Sequence, residues 1–460
     1  MDPVRDLLGL TADYSSRFLE SLDERRIRPD ASIEELRAAL GGPLPETETD
    51  AGQVVAELIE AAEPGLMAMP SGRFFGFVLG GALPAAIAAD WLTSVWDQNA
   101  GLIGPTPSAG VVEEVAIEWL RELLGLPAGV SAGFVTGCQM AHMTALAAAR
   151  HHVLAAADWD LARDGLQGAP RIRVLVGEQR HVTIDRALRY LGIGSAQIEA
   201  VGMRSDALRE ALAAGSGPTI VCAEAGNVNT GAFDPLDEVA DAVAGTGAWL
   251  HVDGAFGLWA AASPRFRHLV AGAERADSWA TDAHKWLNVP FDCGIAFCAH
   301  PASHRAAMAV RATYLEQVDE ETAREPMDWN PEFSRRARGF PVYAAIRALG
   351  RQGIAAMVER CCDHATRFAE LLGSEPGVEI LNDVVLNQVL VRFGDDDETT
   401  RATIAAVQDD GTCWLSGTVW DDKAAMRISV SNWRTSDDDV ERSAAAILAA
   451  AAVAGAVTAT

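Results

Sequence analysis

From Ser131 to about His300, short apolar, β-branched runs alternate with stretches in which apolar residues recur at helical spacing. The runs read GFVTG, IRVLVG, QIEAVGM, TIVCAE, AWLHVD, DSWAT and GIAFCA. Strands of this length separated by helical segments predict an α/β domain with a mostly parallel central sheet flanked by helices. Ligands in such sheets sit at the carboxyl ends of the strands, and AWLHVD ends on a carboxylate there, Asp253. Residues 1–70 have Leu and Ala at helical spacing broken at Pro29, Pro43 and Pro45, which reads as an N-terminal helical arm. An aromatic cluster, RFFGF, and an amphipathic helix stopped by Gly125 and Pro127 lead into the alternating region. After Pro301 the polar stretch EQVDEETAREPMDWNPEFSRR reads as a mobile surface loop. A long helical region spans roughly 337–373, and the runs VEILND, NQVLVRF, CWLSGTVW and AMRISVS then predict a small α/β lobe. The expected division is an arm (1–70), a large domain (71–310), a mobile loop (311–335) and a C-terminal small domain (336–460).

Length and charge narrow the function. A chain of 460 residues exceeds what one core usually supports, consistent with several lobes. Asp and Glu outnumber Lys and Arg by 64 to 37, and the resulting net charge of −27 argues against nucleic acid or an anionic membrane as partner. The seven cysteines form no CxxC or Cys/His cluster, so no metal site is expected and a reducing compartment is the simplest reading. The first residues lack a signal-peptide pattern and no apolar run has spanning length, so a cytoplasmic location is expected.

Candidate chemistry lies at the strand ends. Thr136, Gly137, Cys138 and Gln139 form a tight turn between a strand and an Ala-rich helix, where backbone N–H groups and the helix dipole bind a dianion; the alternative is an ordinary strand-to-helix turn. His181 follows IRVLVG and is placed to lie flat on an aromatic ring, or to serve as a structural residue near a helix cap. Asp253 is suited to hold a pyridinium nitrogen protonated, or to act as a cap or ion-pair partner. Lys285, flanked by His284 and Trp286, reads either as a surface lysine or as a desolvated amine of lowered pKa able to form an imine. Pyridoxal phosphate uses such a lysine and such a carboxylate together. Arg427 is a further candidate, as an anchor for an anion or as a salt-bridge partner.

These residues carry a resemblance. From about Arg73 to the C-terminal lobe, the chain resembles the group II pyridoxal-phosphate-dependent amino-acid decarboxylases of fold type I, the aspartate-aminotransferase-like fold. This is the family of the aromatic-amino-acid and glutamate decarboxylases. ADSWATDAHKWLNVPFDC is similar to the family's Asp-Ser…His-Lys-Trp…Asp-Cys segment, which makes Lys285 the Schiff-base lysine, with Ser278 and His284 at the cofactor. HVDGA matches His-Val-Asp-Ala-Ala, implying Asp253 at the ring nitrogen and Ala255 beneath the ring, and HVTIDRA implies that His181 stacks. The turn Thr136–Gln139 falls at the family's phosphate turn, and EAGNVNTGAFD places Asn227 near the 3-hydroxyl. RFFGF and Thr106-Pro107 match segments that form the site at a homodimer interface. The resemblance implies decarboxylation of an L-amino acid to its amine and CO2. Several features depart from the family: Cys138-Gln139 replaces Gly-Ser/Thr, Asn227 replaces Thr, Asp282 stands where aromatic-acid enzymes carry a phosphate-contacting Asn, and the stretch at about 315–333 has no Tyr to reprotonate the carbanion. An acid at 282 repels phosphate unless it turns away or pairs. Two alternatives stay open: other chemistry with the same cofactor (an aldolase-type lyase, an aminotransferase or an oxidative deaminase), and a non-catalytic cofactor-binding protein.

Overall fold

In the computed structural model, residues 3–310 and 323–455 are described; residues 311–322 of the expected mobile loop lie outside them. The chain opens with helices α1 (Pro3–Ser21), α2 (Ile33–Leu40) and α3 (Ala51–Ala62), followed by α4 (Pro84–Trp96) and α5 (Pro107–Leu123). Two compact units emerge. One comprises the described residues of Met1–Leu79, His364–Asn382 and Val389–Thr460; the other comprises Gly80–Asp363 with Asp383–Gln388.

The second unit holds the seven expected strands: β1 (Ser131–Val135), β2 (Arg173–Val176), β3 (Ile198–Ala200), β4 (Thr219–Glu224), β5 (Trp249–Asp253), β6 (Ser278–Asp282) and β7 (Gly294–Cys298). Their order is β1-β7-β6-β5-β4-β2-β3. β6, β5, β4, β2 and β3 run parallel, while β7 is antiparallel to both of its neighbours, β1 and β6. Every residue of β1, β5, β6 and β7 is buried. Burial on both faces explains why these segments read as continuous apolar runs instead of alternating. Trp249, Trp259, Trp279 and Trp286 are among the largest fully buried side chains of this unit.

Between β1 and β2 runs α6 (Cys138–Ala155), which packs Leu146, Ala147, Ala148, Ala149 and Val153 onto the sheet's apolar residues. Its small side chains permit a close approach to the sheet. Beyond residue 322, the described end of the loop region makes a single 3-10 turn, Pro326–Trp329, with Met327 and Asp328 buried.

In the first unit the final sheet has the order β10-β11-β9-β8, from β8 (Val378–Ile380), β9 (Gln388–Phe393), β10 (Ser416–Trp420) and β11 (Lys423–Ser429). Asp421 and Asp422, with φ of 45° and 59°, form the two-residue turn that joins β10 to β11. Positive φ at both central residues matches the right-handed twist of a hairpin. Arg427 lies on β11 in this unit, half-buried, and burial lowers its pKa. Arg73 of RFFGF is also buried here; its guanidinium donates to the carbonyls of Asp23 and Arg25, both at 2.9 Å. No helix among the described residues is long and apolar enough to cross a membrane.

Candidate active site

The carboxyl ends of β4, β5 and β6 and the start of α6 enclose a cavity of about 250 Å³ whose lining includes Cys138, His181, Glu224, Asp253, Asp282 and Lys285. Parallel register brings the carboxylates together, since Glu224 stands opposite Asp253 and Asp253 opposite Ala280. Strand ends place polar side chains here because the sheet's interior admits none without partners.

Asp253 is buried and fully engaged. Its Oδ2 lies 3.2 Å from His142 Nε2, and Oδ1 accepts the Ala255 N–H at 3.1 Å. Burial alone pushes a carboxyl up, but His142, with help from His181 and Lys285, outweighs it and holds Asp253 below the usual carboxylate range. The line continues inward. His142 Nδ1 lies 2.9 Å from His251 Nε2, His251 Nδ1 lies 2.9 Å from Ser278 Oγ, and Ser278 accepts the Trp249 indole N–H at 2.8 Å. Burial, followed by the neighbouring His142, pushes His251 down to about 3.

Lys285 sits beside the turn after β6, its amine 3.2 Å from Asp282 Oδ2. Desolvation was the reason to expect a lowered pKa at this lysine, and burial does act in that direction. The nearby Asp282, Cys138 and Asp253 outweigh it, so the pKa is raised: this amine is held as an ammonium by its neighbours. Asp282 does not turn away from the phosphate turn. Its Oδ1 accepts the Cys138 N–H at 2.6 Å. His284 accepts the Cys293 N–H at Nδ1, at 3.1 Å, and burial lowers its pKa.

His181 takes the structural role open to it and also borders the cavity. It caps the helix Val182–Tyr190, with Nδ1 2.7 Å from Thr183 Oγ1, and it lines the cavity with Asp253 and Lys285. Gly137, Cys138, Gln139, Ala255 and His284 also line it. Thr136, Asn227 and Ser278 do not. Asn227 is buried in its own turn, donating to Gln179 O at 3.1 Å and Glu224 Oε2 at 2.9 Å, so Gly226 and Val228 form the wall instead. Ser278 begins β6, at the opposite end from Asp282, and serves the histidine line.

Two functional groups were not singled out from sequence. His142 is a buried polar residue in the helix stretch CQMAHMTALAAAR, one turn after Cys138. Glu224 ends TIVCAE as Asp253 ends AWLHVD; burial and the neighbouring Asp253 push its carboxyl well above the usual range. Glu224, His181 and Asp253 also border a second cavity of about 240 Å³ with Asp234 and Arg180. A larger cavity of about 530 Å³, lined by Ser131, Arg305, Arg324 and Trp329 among others, includes none of the sequence-selected residues.

The residues fit pyridoxal phosphate. Gly137, which caps α6, offers no side chain to its first-turn N–H groups. Gly294 lets β7 approach the turn, since a Cβ there would lie 2.4 Å from the Gly137 carbonyl carbon. An amine and an anionic carboxylate share the same cavity with that turn. Cys138, His142 and Asp253 present ligand atoms within 4.8 Å of one another, but they are already bonded among themselves.

Comparison with known proteins agrees with this reading. The chain is 27% identical over 469 residues to tryptophan decarboxylase 1 of Oryza sativa subsp. japonica, covering 94% of this chain and 90% of that one. It is 26% identical to 4-hydroxyphenylacetaldehyde synthase of Rhodiola rosea, covering 89% of this chain and 86% of that one. The crystal structure of Oryza sativa TDC with PLP and tryptamine superposes with a TM-score of 0.91 at 24% identity, covering 98% of both chains, which shows the fold to be type I of the pyridoxal-phosphate enzymes. Residues 34–393 match the model of the pyridoxal-dependent decarboxylase conserved domain. A match running from the second helix to the ninth strand exceeds any shared motif: this chain belongs to the pyridoxal-dependent decarboxylases.

Proposed function

We propose that this enzyme decarboxylates an aromatic L-amino acid, with Lys285 as the residue that bonds to the cofactor's aldehyde carbon. The observation that carries the reading is the Lys285 amine facing the same cavity as the Asp253 carboxylate and the His181 ring. Pyridoxal phosphate, when bound, supplies a ring that accepts the electron pair left as the α-carboxylate departs as CO2. The chain's own residues do the rest. Asp253, kept anionic by His142, would keep the cofactor's ring nitrogen protonated. His181, fixed by its cap bond to Thr183, provides a flat surface, and the turn Gly137–Gln139 with the amino end of α6 takes the phosphate. Glu224 stands in the cavity wall.

Substrate class follows from the wall. Phe256 and Val228 are apolar, and apart from Lys285 no lysine or arginine lines the cavity among the described residues, so a side-chain carboxylate finds no cation there. An aromatic side chain suits that surface, in keeping with the names of the relatives. A homodimer also fits. Trp91, Leu92, Val95 and Trp96 are exposed on α4, as are Val4 and Leu8 on α1, and exposed aromatic clusters of this kind mark protein interfaces. All seven cysteines are free and buried, which suits a cytoplasmic enzyme.

The test is borohydride reduction of the protein mixed with pyridoxal phosphate, peptide mapping, and product analysis over a panel of aromatic and acidic L-amino acids. A reduced adduct on Lys285 with CO2 and amine from aromatic substrates is expected. An adduct elsewhere, or none, overturns the reading. A second reading rests on the aldehyde-synthase relative: aromatic aldehyde, ammonia and O2 consumption in place of amine would establish it.

A further inference from the structure

We propose that Cys138, His142 and Asp253 form a binding site for a thiophilic divalent cation of the Zn2+ class, open in the cofactor-free chain and in competition with pyridoxal phosphate. Among the described residues they are the one group of metal-ligating side chains brought together, with ligand atoms within 4.8 Å of one another. Cys138 and His142 stand one turn apart on α6, and Asp253 comes from the carboxyl end of β5, so no sequence motif announces the set. His142 Nε2 lies 3.3 Å from Cys138 Sγ and 3.2 Å from Asp253 Oδ2, and Sγ lies 4.0 Å from Asp253 Oδ1. Tetrahedral Zn2+ with ordinary bonds to sulfur, nitrogen and oxygen holds its ligand atoms about 3.4–3.6 Å apart. The hydrogen bonds among the three therefore keep them near coordination spacing, and a cation can take the place of the shared protons.

The surroundings fit a cation of this kind. A thiolate and an imidazole select Zn2+ or Cd2+ over Mg2+ and Ca2+, which prefer oxygen throughout. A metal-bound imidazole donates its other N–H to a fixed partner, and His142 Nδ1 lies 2.9 Å from His251 Nε2, itself held by Ser278. Cys138 and Asp253 line the cavity of about 250 Å³, which gives the ion an entry path and a water for its fourth position. Binding is a ligand exchange without electron transfer. Bonds form from the metal to Sγ, Nε2 and a carboxylate oxygen. The S–H bond of Cys138 breaks and its proton passes to solvent, while the His142 ring carries its proton on Nδ1. Competition with the cofactor rests on the reading above, in which Asp253 serves the ring nitrogen: one carboxylate cannot serve a metal ion and a pyridinium at once, and each ligand weakens the other by the same factor.

The experiment titrates the cofactor-free, full-length chain with Cd2+, which reports thiolate ligation through its ultraviolet charge-transfer band, and then displaces it with Zn2+. One thiolate-bound Cd2+ per chain is expected. Cys138→Ser and His142→Gln should bind at least about 100-fold more weakly, and His251→Phe, which removes only the outer partner of His142, about 10- to 100-fold more weakly. X-ray absorption of the wild-type Zn2+ complex decides the matter even where a variant misfolds: one sulfur at about 2.3 Å is expected, with nitrogen or oxygen at about 2.0–2.2 Å. Cd2+ uptake without the thiolate band is binding by surface carboxylates and overturns the proposal. So does a band that survives Cys138→Ser, or a Zn2+ shell without sulfur. Protein whose cofactor has been fixed by borohydride should show no band at the Cd2+ concentration that saturates the cofactor-free chain; an unchanged band overturns the competition. Failure of the site assignment looks different: the borohydride adduct is then missing from Lys285, while the cofactor-free titration still decides the metal site.

Discussion

The ring-nitrogen end and the phosphate end of the cavity each hold a buried carboxylate, and the two are satisfied in different ways. Asp253 draws on His142 and the Ala255 N–H, partners behind the cavity wall that binding leaves in place. Asp282 draws on the Cys138 N–H and the Lys285 amine, which stand where the cofactor must bind. A charge with private partners keeps them when the cavity fills; a charge whose partners line the cavity shares them with whatever enters.

Substitutions at each end test the contrast. The largest effect is expected from Lys285→Ala, which touches both ends: no borohydride-stable adduct, and turnover lower by about 10⁵-fold or more, read by CO2 release. Asp253→Ala acts at the ring end alone. Turnover should fall about 10³-fold, while affinity for 4′-deoxypyridoxine phosphate changes little; a matching loss in affinity would mean the two ends are not separable. His142→Phe withdraws the group that holds the Asp253 carboxyl down, so that carboxyl rises. The acid limb of the pH–rate profile should move to higher pH and turnover should drop about tenfold, an outcome that a merely space-filling His142 would not produce.

The smallest effect concerns stability alone. Asp234 accepts the Glu224 N–H at 2.7 Å, and burial pushes its carboxyl up to about 6. The folded chain therefore holds this proton more tightly than the unfolded chain, so the contribution is full below about pH 4 and is lost as pH rises through about 6. By pH 8 the loss is on the order of 3 kcal/mol. Asp234→Asn keeps the acceptor and removes the charge. Its thermal midpoint should rise by a few degrees at pH 8 and stay unchanged near pH 4.

The central strands of the large sheet were legible because burial on both faces leaves apolar runs, and the same fact exposed Asp253 and Lys285 as charges at the edges of apolar segments. What composition could not supply was direction. Asn227 lies in the right loop, but its amide closes its own turn, and Ser278 lies on the right strand at its far end. His142 shows the other limit: a histidine within an alanine-rich helix was visible, but its partners on β5 come more than a hundred residues later, and only the fold joins them. Nor could the sequence predict which effect wins at Lys285, because desolvation and the Asp282 carboxylate pull in opposite directions and a distance of 3.2 Å decides between them.

Helix α6 meets both ends of the cavity within its first turn, presenting the Cys138 N–H to one carboxylate and the His142 ring to the other. Those four residues of rise act as a gauge block, fixing how far the anion cradle stands from the electron-withdrawing end of the ring. Inserting a residue between positions 138 and 142 would rotate the histidine off the aspartate while leaving the cradle intact. Drift in this turn therefore alters the spacing of the two ends, and new substrate preferences have to arise elsewhere along the cavity wall.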